Sequence, residues 1–276
     1  MGRDRLGTAF HETFALNRPA VSSLLDLSVE LQGQFSADIA RQRTALGNNY
    51  IKAMPRYARA CGLLNLDDYR STPLGQVVSR EDSHLNHPVT LWLMHYHLTA
   101  PHGPGPLFWH HLVTRCFRIG NEISTSQVAE LVSRFVEQHT GRRLAERTAA
   151  STATVFLGTY AKLDGLGKLG ILTTASGGDR GFYRVLQPNA PSLWTIAYAL
   201  ADYWDGVWSD RVTVNLSDLT QPTGFTSLFL MGSTQLEDVL RDLQREGLLE
   251  VHRVAPPYQV VRLWSHKDDL LERLYG

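Results

Sequence analysis

Apolar residues recur at helical spacing through most of the chain, and the clearest case lies in residues 45–64. Ile51, Met54, Ala58 and Cys61 follow one another at steps of three, four and three, which places them on one stripe of a helix. Asn49, Lys52, Arg56 and Arg59 keep the same steps on another side. Gly62 is a stop signal, and Leu63-Leu64 open new apolar text. Pro55 removes one intrahelical hydrogen bond, so the pattern predicts a kink or a later start.

Upstream, residues 8–18 form a short opening element and residues 21–32 read as a helix. Ser36 and Asp38 are cap residues for a helix over 39–44. Residues 65–69 read as a turn, 73–78 as a short helix, 88–98 as a buried helix and 107–117 as another apolar one, with a Pro/Gly loop at 101–106 between the last two. Ser124 caps a helix over 127–139, and a helix over 148–163 follows. Strands at 169–174 and 182–186 are joined across Ser176-Gly177-Gly178-Asp179. Further on come an apolar helix at 193–204, a short strand over Val212, Val214 and Leu216, and a helix ending at Glu246. Thr234 and Glu237 form a capping-box pattern for that helix. A hairpin of 248–254 and 259–263 spans Pro256-Pro257, and a last helix covers 267–275.

The expected fold is mostly α with short β-hairpins, in tandem helix-turn-helix or winged-helix-like modules. The expected division is 1–122 for an N-terminal helical domain with the helix-turn-helix, 123–188 for a middle winged-helix-like module and 189–276 for a C-terminal one. The helix before the last hairpin carries Glu237, Asp238 and Asp242 beside Arg241 and Arg245. That mixed face suits protein contact better than DNA, and tandem winged-helix modules pair readily, so a homodimer is among the expected assemblies.

Composition sharpens this picture at a few points. The chain has 276 residues, 27 Lys plus Arg and 27 Asp plus Glu, so its net charge is zero and any nucleic-acid contact must come from local clustering. Residues 40–62 supply such a cluster, with five Lys or Arg and no Asp or Glu. The helix there admits two readings, DNA docking or an ordinary solvated cationic face. Two distant cysteines, Cys61 and Cys116, exclude a thiolate zinc knot and a disulfide framework. The start has no signal-peptide pattern and no apolar run reaches membrane-spanning length, so a cytoplasmic protein is expected.

Candidate chemistry gathers at the start of the chain. His11-Glu12-Thr13-Phe14 stands just before Asn17-Arg18. A phosphodiester site would use Glu12 for Mg²⁺, His11 for a proton and Arg18 for phosphate charge. The competing reading is a capped helix start with a surface arginine. Seven of the eleven histidines lie between His84 and His111. His95 and His97, two apart, and the adjacent His110 and His111 have poor spacing for one metal on a helix, so packing or surface roles are expected. No phosphate-binding loop, dinucleotide fingerprint or nucleophile elbow is present.

Several stretches together resemble one family. His11-Glu12-Thr13-Phe14 looks like its opening HETF motif, and Gly47-Asn48-Asn49-Tyr50 like its G-K-N-M turn. Gly62-Leu63 matches the end of its basic helix, Thr90-Leu91-Trp92-Leu93-Met94-His95-Tyr96 its TLWLLHY helix, and Phe108-Trp109 its aromatic pair. This is the SspB family, the DNA-nicking components of bacterial single-stranded phosphorothioate modification. The motifs cover residues 8–120. Two positions depart from them: the family's Arg after HETF falls on Asn17, with Arg18 one step later, and its turn Lys is Asn48.

The resemblance implies a Mg²⁺-dependent nickase that opens one strand so that sulfur can replace a phosphate oxygen. It also implies work beside a cysteine desulfurase, an ATPase and an ATP-pyrophosphatase-like sulfur-transfer protein in phage defence. On this reading Lys52, Arg56 and Arg59 contact DNA with Asn48, Asn49, Arg41 and Arg43 nearby, and His11, Glu12 and Arg18 carry the chemistry. The other reading is a non-catalytic winged-helix DNA binder, a transcription regulator or specificity subunit.

Overall fold

The computed structural model describes residues 7–65, 67–175 and 181–276. The chain divides into two compact units, Met1–Asn189 and Ala190–Gly276. Both combine helices with a small antiparallel sheet.

The first unit opens with a 3-10 turn, Thr8–His11, followed by α1 (Arg18–Glu30), α2 (Ala37–Arg43), α3 (Asn48–Ala60), α4 (Pro73–Glu81), α5 (Pro88–Thr99) and α6 (Leu107–Cys116). Then come β1 (Glu122–Ser124), α7 (Thr125–Thr140), α8 (Glu146–Ala161), β2 (Leu172–Thr174) and β3 (Phe182–Val185). Helix α5 is buried from Val89 through Thr99. A helix apolar all round has no solvent side and belongs inside. It packs against α3 and α6, within a core that holds Tyr57, Trp92, Tyr96, Phe108, Trp109, Phe156 and Tyr160. The Tyr160 hydroxyl meets two buried partners at once: Trp109 Nε1 donates to it at 3.1 Å, and His95 Nδ1 stands 2.9 Å away.

The stripe read from the sequence buries α3. Ile51, Met54, Ala58 and Cys61 are all buried, and truncating a residue such as Met54 to Ala costs about 2–5 kcal/mol. The helix starts at Asn48 and runs through the buried Pro55 to Ala60. Gly62 ends it with φ +75°, and a Cβ there would lie 2.7 Å from the His97 ring. The stop signal and the close approach of α5 therefore act on one residue.

Strand β3 lies between β1 and β2. Ile123 pairs with Tyr183 and Thr173 with Arg184. The second unit holds α9 (Leu193–Trp208), β4 (Thr213–Asn215), α10 (Leu216–Leu219), α11 (Phe225–Leu228), α12 (Ser233–Arg245), β5 (Leu249–His252) and β6 (Gln259–Arg262), with a 3-10 helix at Lys267–Arg273. Here β6 is the middle strand, between β4 and β5. Each unit thus contains the order helix, strand, helices, strand, strand, with the last strand in the centre.

Local signals held where they were self-contained. Ser36 Oγ accepts from Ile39 N, and Ser124 forms a capping box with Gln127. Three expectations need correction. The cap of α12 is Gly232, whose N–H donates to Gln235 Oε1 at 2.9 Å, rather than Thr234 with Glu237. The terminal helix is of the 3-10 type, over Lys267–Arg273. The strand drawn over 212–216 is Thr213–Asn215, because Leu216 already begins α10. The expected turn at Ser176-Gly177-Gly178-Asp179 lies outside the described residues, as does Leu66 of the turn at 65–69. No helix among the described residues is long and apolar enough to cross a membrane.

Candidate nucleic-acid interface

Two aromatic anchors fix the start of the first unit. The Phe10 ring stands edge-on to Tyr57 at 4.8 Å, and Phe14 meets Tyr50 at 5.1 Å. Tyr57 OH also donates to Phe14 O at 2.9 Å. Between the anchors the backbone turns through Glu12 and Thr13, both with positive φ, 45° and 68°. Such a conformation is rare for residues other than glycine and costs on the order of 1 kcal/mol or more each.

His11 supports that turn. Its ring is buried, Thr13 N–H donates to Nδ1 at 3.0 Å, and Nε2 stands 3.2 Å from Thr152 Oγ1. Thr152 Oγ1 in turn donates to Thr148 O. With Nδ1 accepting, the ring proton sits on Nε2 and donates to Thr152. Burial lowers the His11 pKa from 6.5 to about 4, and the nearby Glu12 charge only partly offsets this. The imidazole is neutral at physiological pH.

The turn presents Glu12 to α3. Arg56 Nη1 donates to Glu12 Oε1 at 2.8 Å and to Ala9 O at 2.8 Å. The pair is half-exposed, 41% for Arg56 and 38% for Glu12. An ion pair so open to water is worth less than about 1 kcal/mol, so an incoming anion displaces it readily.

Arg18 is held in a different environment. It is buried, and its guanidinium donates to Gly165 O at 2.6 Å, to Asn86 Oδ1 at 2.7 Å, and to Leu85 O and Leu163 O. Burial pushes its pKa below the ordinary value, while Asp82 and Asp164 push it back up. Asn17 caps α1 through Ala20 N and also donates to Asp164 Oδ2. The structure thus brings His11, Glu12 and Arg56 together, while Arg18 ties α1 to two loops. The surface arginine of the competing reading is corrected as well.

On the polar side of α3, Arg56 is paired with Glu12, and the two arginines of α2 are paired as well. Lys52 is exposed and has no ion-pair partner among the described residues. Asn48 and Asn49 are exposed at the first turn. Arg41 pairs with Asp38, and Arg43 with Glu30 at 2.5 Å. Arg59 is half-buried, with its guanidinium 4.7 Å over the Tyr69 ring and one N–H toward Asp68 O at 3.4 Å. Thr152 and Asp164, both part of this framework, carry no motif that sequence reasoning can use.

A family model described as "Protein of unknown function (DUF4007)" matches residues 9–275. The chain belongs to this family. Two solved structures share the fold of this DUF4007 chain: a magnesium ion-bound SspB structure with a TM-score of 0.76 at 18% identity, and an SspB structure with a TM-score of 0.75 at 19% identity. Each comparison covers 96% of this chain and 86% of the other. No curated protein matches it. The resemblance seen in the short motifs thus extends to the fold over nearly the whole DUF4007 chain.

One of those structures holds magnesium, which makes donor chemistry the test here. Among the described residues no three or more His, Cys, Asp or Glu gather as a metal site. A cage built by the protein alone is therefore absent from those residues. Glu12 is a single half-exposed carboxylate. That donor fits the other magnesium chemistry, in which one carboxylate shares the ion with substrate phosphate oxygens and water. The buried histidines of α5 do not compete for it, because hard Mg²⁺ prefers oxygen and His95 is engaged with Tyr160. Both cysteines are buried, and Cys116 is pushed up to about 12, so neither offers a thiolate.

Proposed function

We propose that the chain is a magnesium-dependent DNA-nicking component of DNA phosphorothioate modification and phage defence. The observation that carries this reading is the half-exposed Glu12–Arg56 pair, set on a strained turn of a fold shared with magnesium-bound SspB. Arg56 exchanges Glu12 for a DNA phosphate, and the freed carboxylate would hold Mg²⁺ together with phosphate oxygens. The ion, when bound, supplies charge neutralisation at the phosphorus centre. Lys52, Asn48 and Asn49 meet the backbone beside the site, with Arg41, Arg43 and Arg59 at its margins. Arg18 supports the site from the framework below.

We read 123–188 and 189–276 as winged-helix modules after a helical domain at 1–122 that contains the helix-turn-helix. The strand, helices, strand, strand runs from β1 to β3 and from β4 to β6, each with its last strand central, support winged-helix character in both, the first run beginning at Glu122. In the C-terminal module α12 pairs its own charges, Arg241 with Asp238 and Arg245 with Asp242. That self-paired surface suits a homodimer or the partner proteins: a cysteine desulfurase, an ATPase and an ATP-pyrophosphatase-like sulfur-transfer protein.

Relaxation of supercoiled plasmid tests the reading, with Mg²⁺ or EDTA and beside Glu12→Ala. The expected result is open circles that require the metal and are lost in the variant. Nicking that survives in a folded Glu12→Ala protein moves the site elsewhere. The alternative, a non-catalytic winged-helix DNA binder, draws support from the strand order of the two small sheets, each with its last strand in the centre. DNA binding with no nicking in the presence of the partner proteins favours it.

A further inference from the structure

Glu12 and Thr13 are consecutive non-glycine residues at φ 45° and 68°. A β-branched residue at positive φ persists only where its surroundings over-determine it. Both His11 nitrogens serve that end. Nδ1 accepts the Thr13 N–H at 3.0 Å, and Nε2 reaches Thr152 Oγ1 at 3.2 Å, which anchors the ring to α8. The ring is 3% exposed. Neither nitrogen faces the water-exposed side, where Glu12 meets Arg56. A proton-transfer group needs one free nitrogen within reach of the reacting atom, and His11 has both committed inside the protein.

We propose that His11 is a positioning residue: it locks the Glu12-Thr13 turn in the left-handed conformation, so that the Glu12 carboxylate stands beside Arg56, and it transfers no proton. What that carboxylate then does rests on the nickase reading above. The lock itself is a statement about backbone and hydrogen bonds.

The geometry also names the variant that tests it. A side-chain acceptor that takes the N–H two residues on is what Asn supplies in an Asx-turn. His11→Asn keeps that acceptor and has no acid–base chemistry, whereas His11→Ala lacks both. In the full-length protein, His11→Ala is expected to speed Thr13 amide exchange about a hundredfold. The same variant is expected to lower the rate of magnesium-dependent nicking about tenfold. His11→Asn should recover both to within about threefold of the unsubstituted protein. An Asn variant that is folded and as inactive as Ala, with Thr13 protected, overturns the proposal and makes His11 a proton carrier.

Nitrogen-15 spectra of the unsubstituted protein at neutral pH give a second readout that needs no variant. The proton is expected on Nε2, with Nδ1 bare. A proton on Nδ1 overturns the lock, because Thr13 then has no acceptor. If the unsubstituted protein fails to nick DNA with its partners present, the functional reading falls, and the tautomer and Thr13 exchange still decide the lock.

Discussion

Acidification should destabilise this protein through His11 by a calculable amount. The folded pKa is about 4 against 6.5 for an unperturbed imidazole. Between those values the unfolded chain binds a proton that the folded chain refuses. Stability is therefore fully present above pH 6.5 and lost as the pH falls toward 4. About 2.5 units at ~1.4 kcal/mol per unit cap the loss at roughly 3 kcal/mol. The linkage relation puts about 1.4 kcal/mol of it at pH 5.5 and about 2.5 kcal/mol at pH 4.5. Carboxylates elsewhere titrate over the same range, so the measurement is a difference. Urea unfolding of the unsubstituted protein and of His11→Asn at pH 7, 5.5 and 4.5 isolates the imidazole. The variant loses the bond to Thr152, a pH-independent offset of about 1 kcal/mol. The gap between the two proteins should close, then reverse, as the pH falls. Parallel pH profiles would show that His11 titrates alike in the folded and unfolded chains, and a gap that widens on acidification would show a ring charged in the fold; either would refute the buried neutral ring described above.

Replacing Arg18 with Met should cost about 3–5 kcal/mol, because four acceptors lose a buried guanidinium at once. A folded, thermally unchanged Arg18→Met protein would refute that framework role. Tyr160→Phe leaves the Trp109 indole N–H without its acceptor, and a loss of about 1–3 kcal/mol in chemical denaturation is expected. DNA affinity measured against salt should distinguish the basic residues of α3. Lys52→Ala and Arg56→Ala should each flatten the slope by about 0.9 if they meet phosphates. Arg59→Ala should instead lower the melting temperature, since its guanidinium packs on Tyr69. Equal slopes for all three proteins would remove α3 from the DNA surface.

Sequence alone determined what depends on near neighbours. The apolar stripe of α3, the all-apolar α5, the caps at Ser36 and Ser124 and the β5–β6 hairpin follow from residues a few positions apart. Short motifs spread over residues 8–120 were enough to name the SspB-like fold, because each is a local pattern and their order is specific. Tertiary structure decided everything that needs a distant partner. Strands β1 and β4 have three residues each and exist because β3 and β6 offer them a ladder. Glu12 meets Arg56 across 44 positions, and His11 meets Thr152 across 141. Nothing at residues 11–13 signals two left-handed residues, since neither is glycine. The strain is held by contacts with α3 and α8 that come together only on folding. Arg18 reads as a surface charge because arginine usually is one, and four oxygens from remote loops make it a buried tie. Charge counting fails on α3 for the same reason: Glu12 and the Tyr69 ring lie outside the helix, and only the fold brings them to Arg56 and Arg59, as it brings Glu30 of α1 to Arg43 of α2.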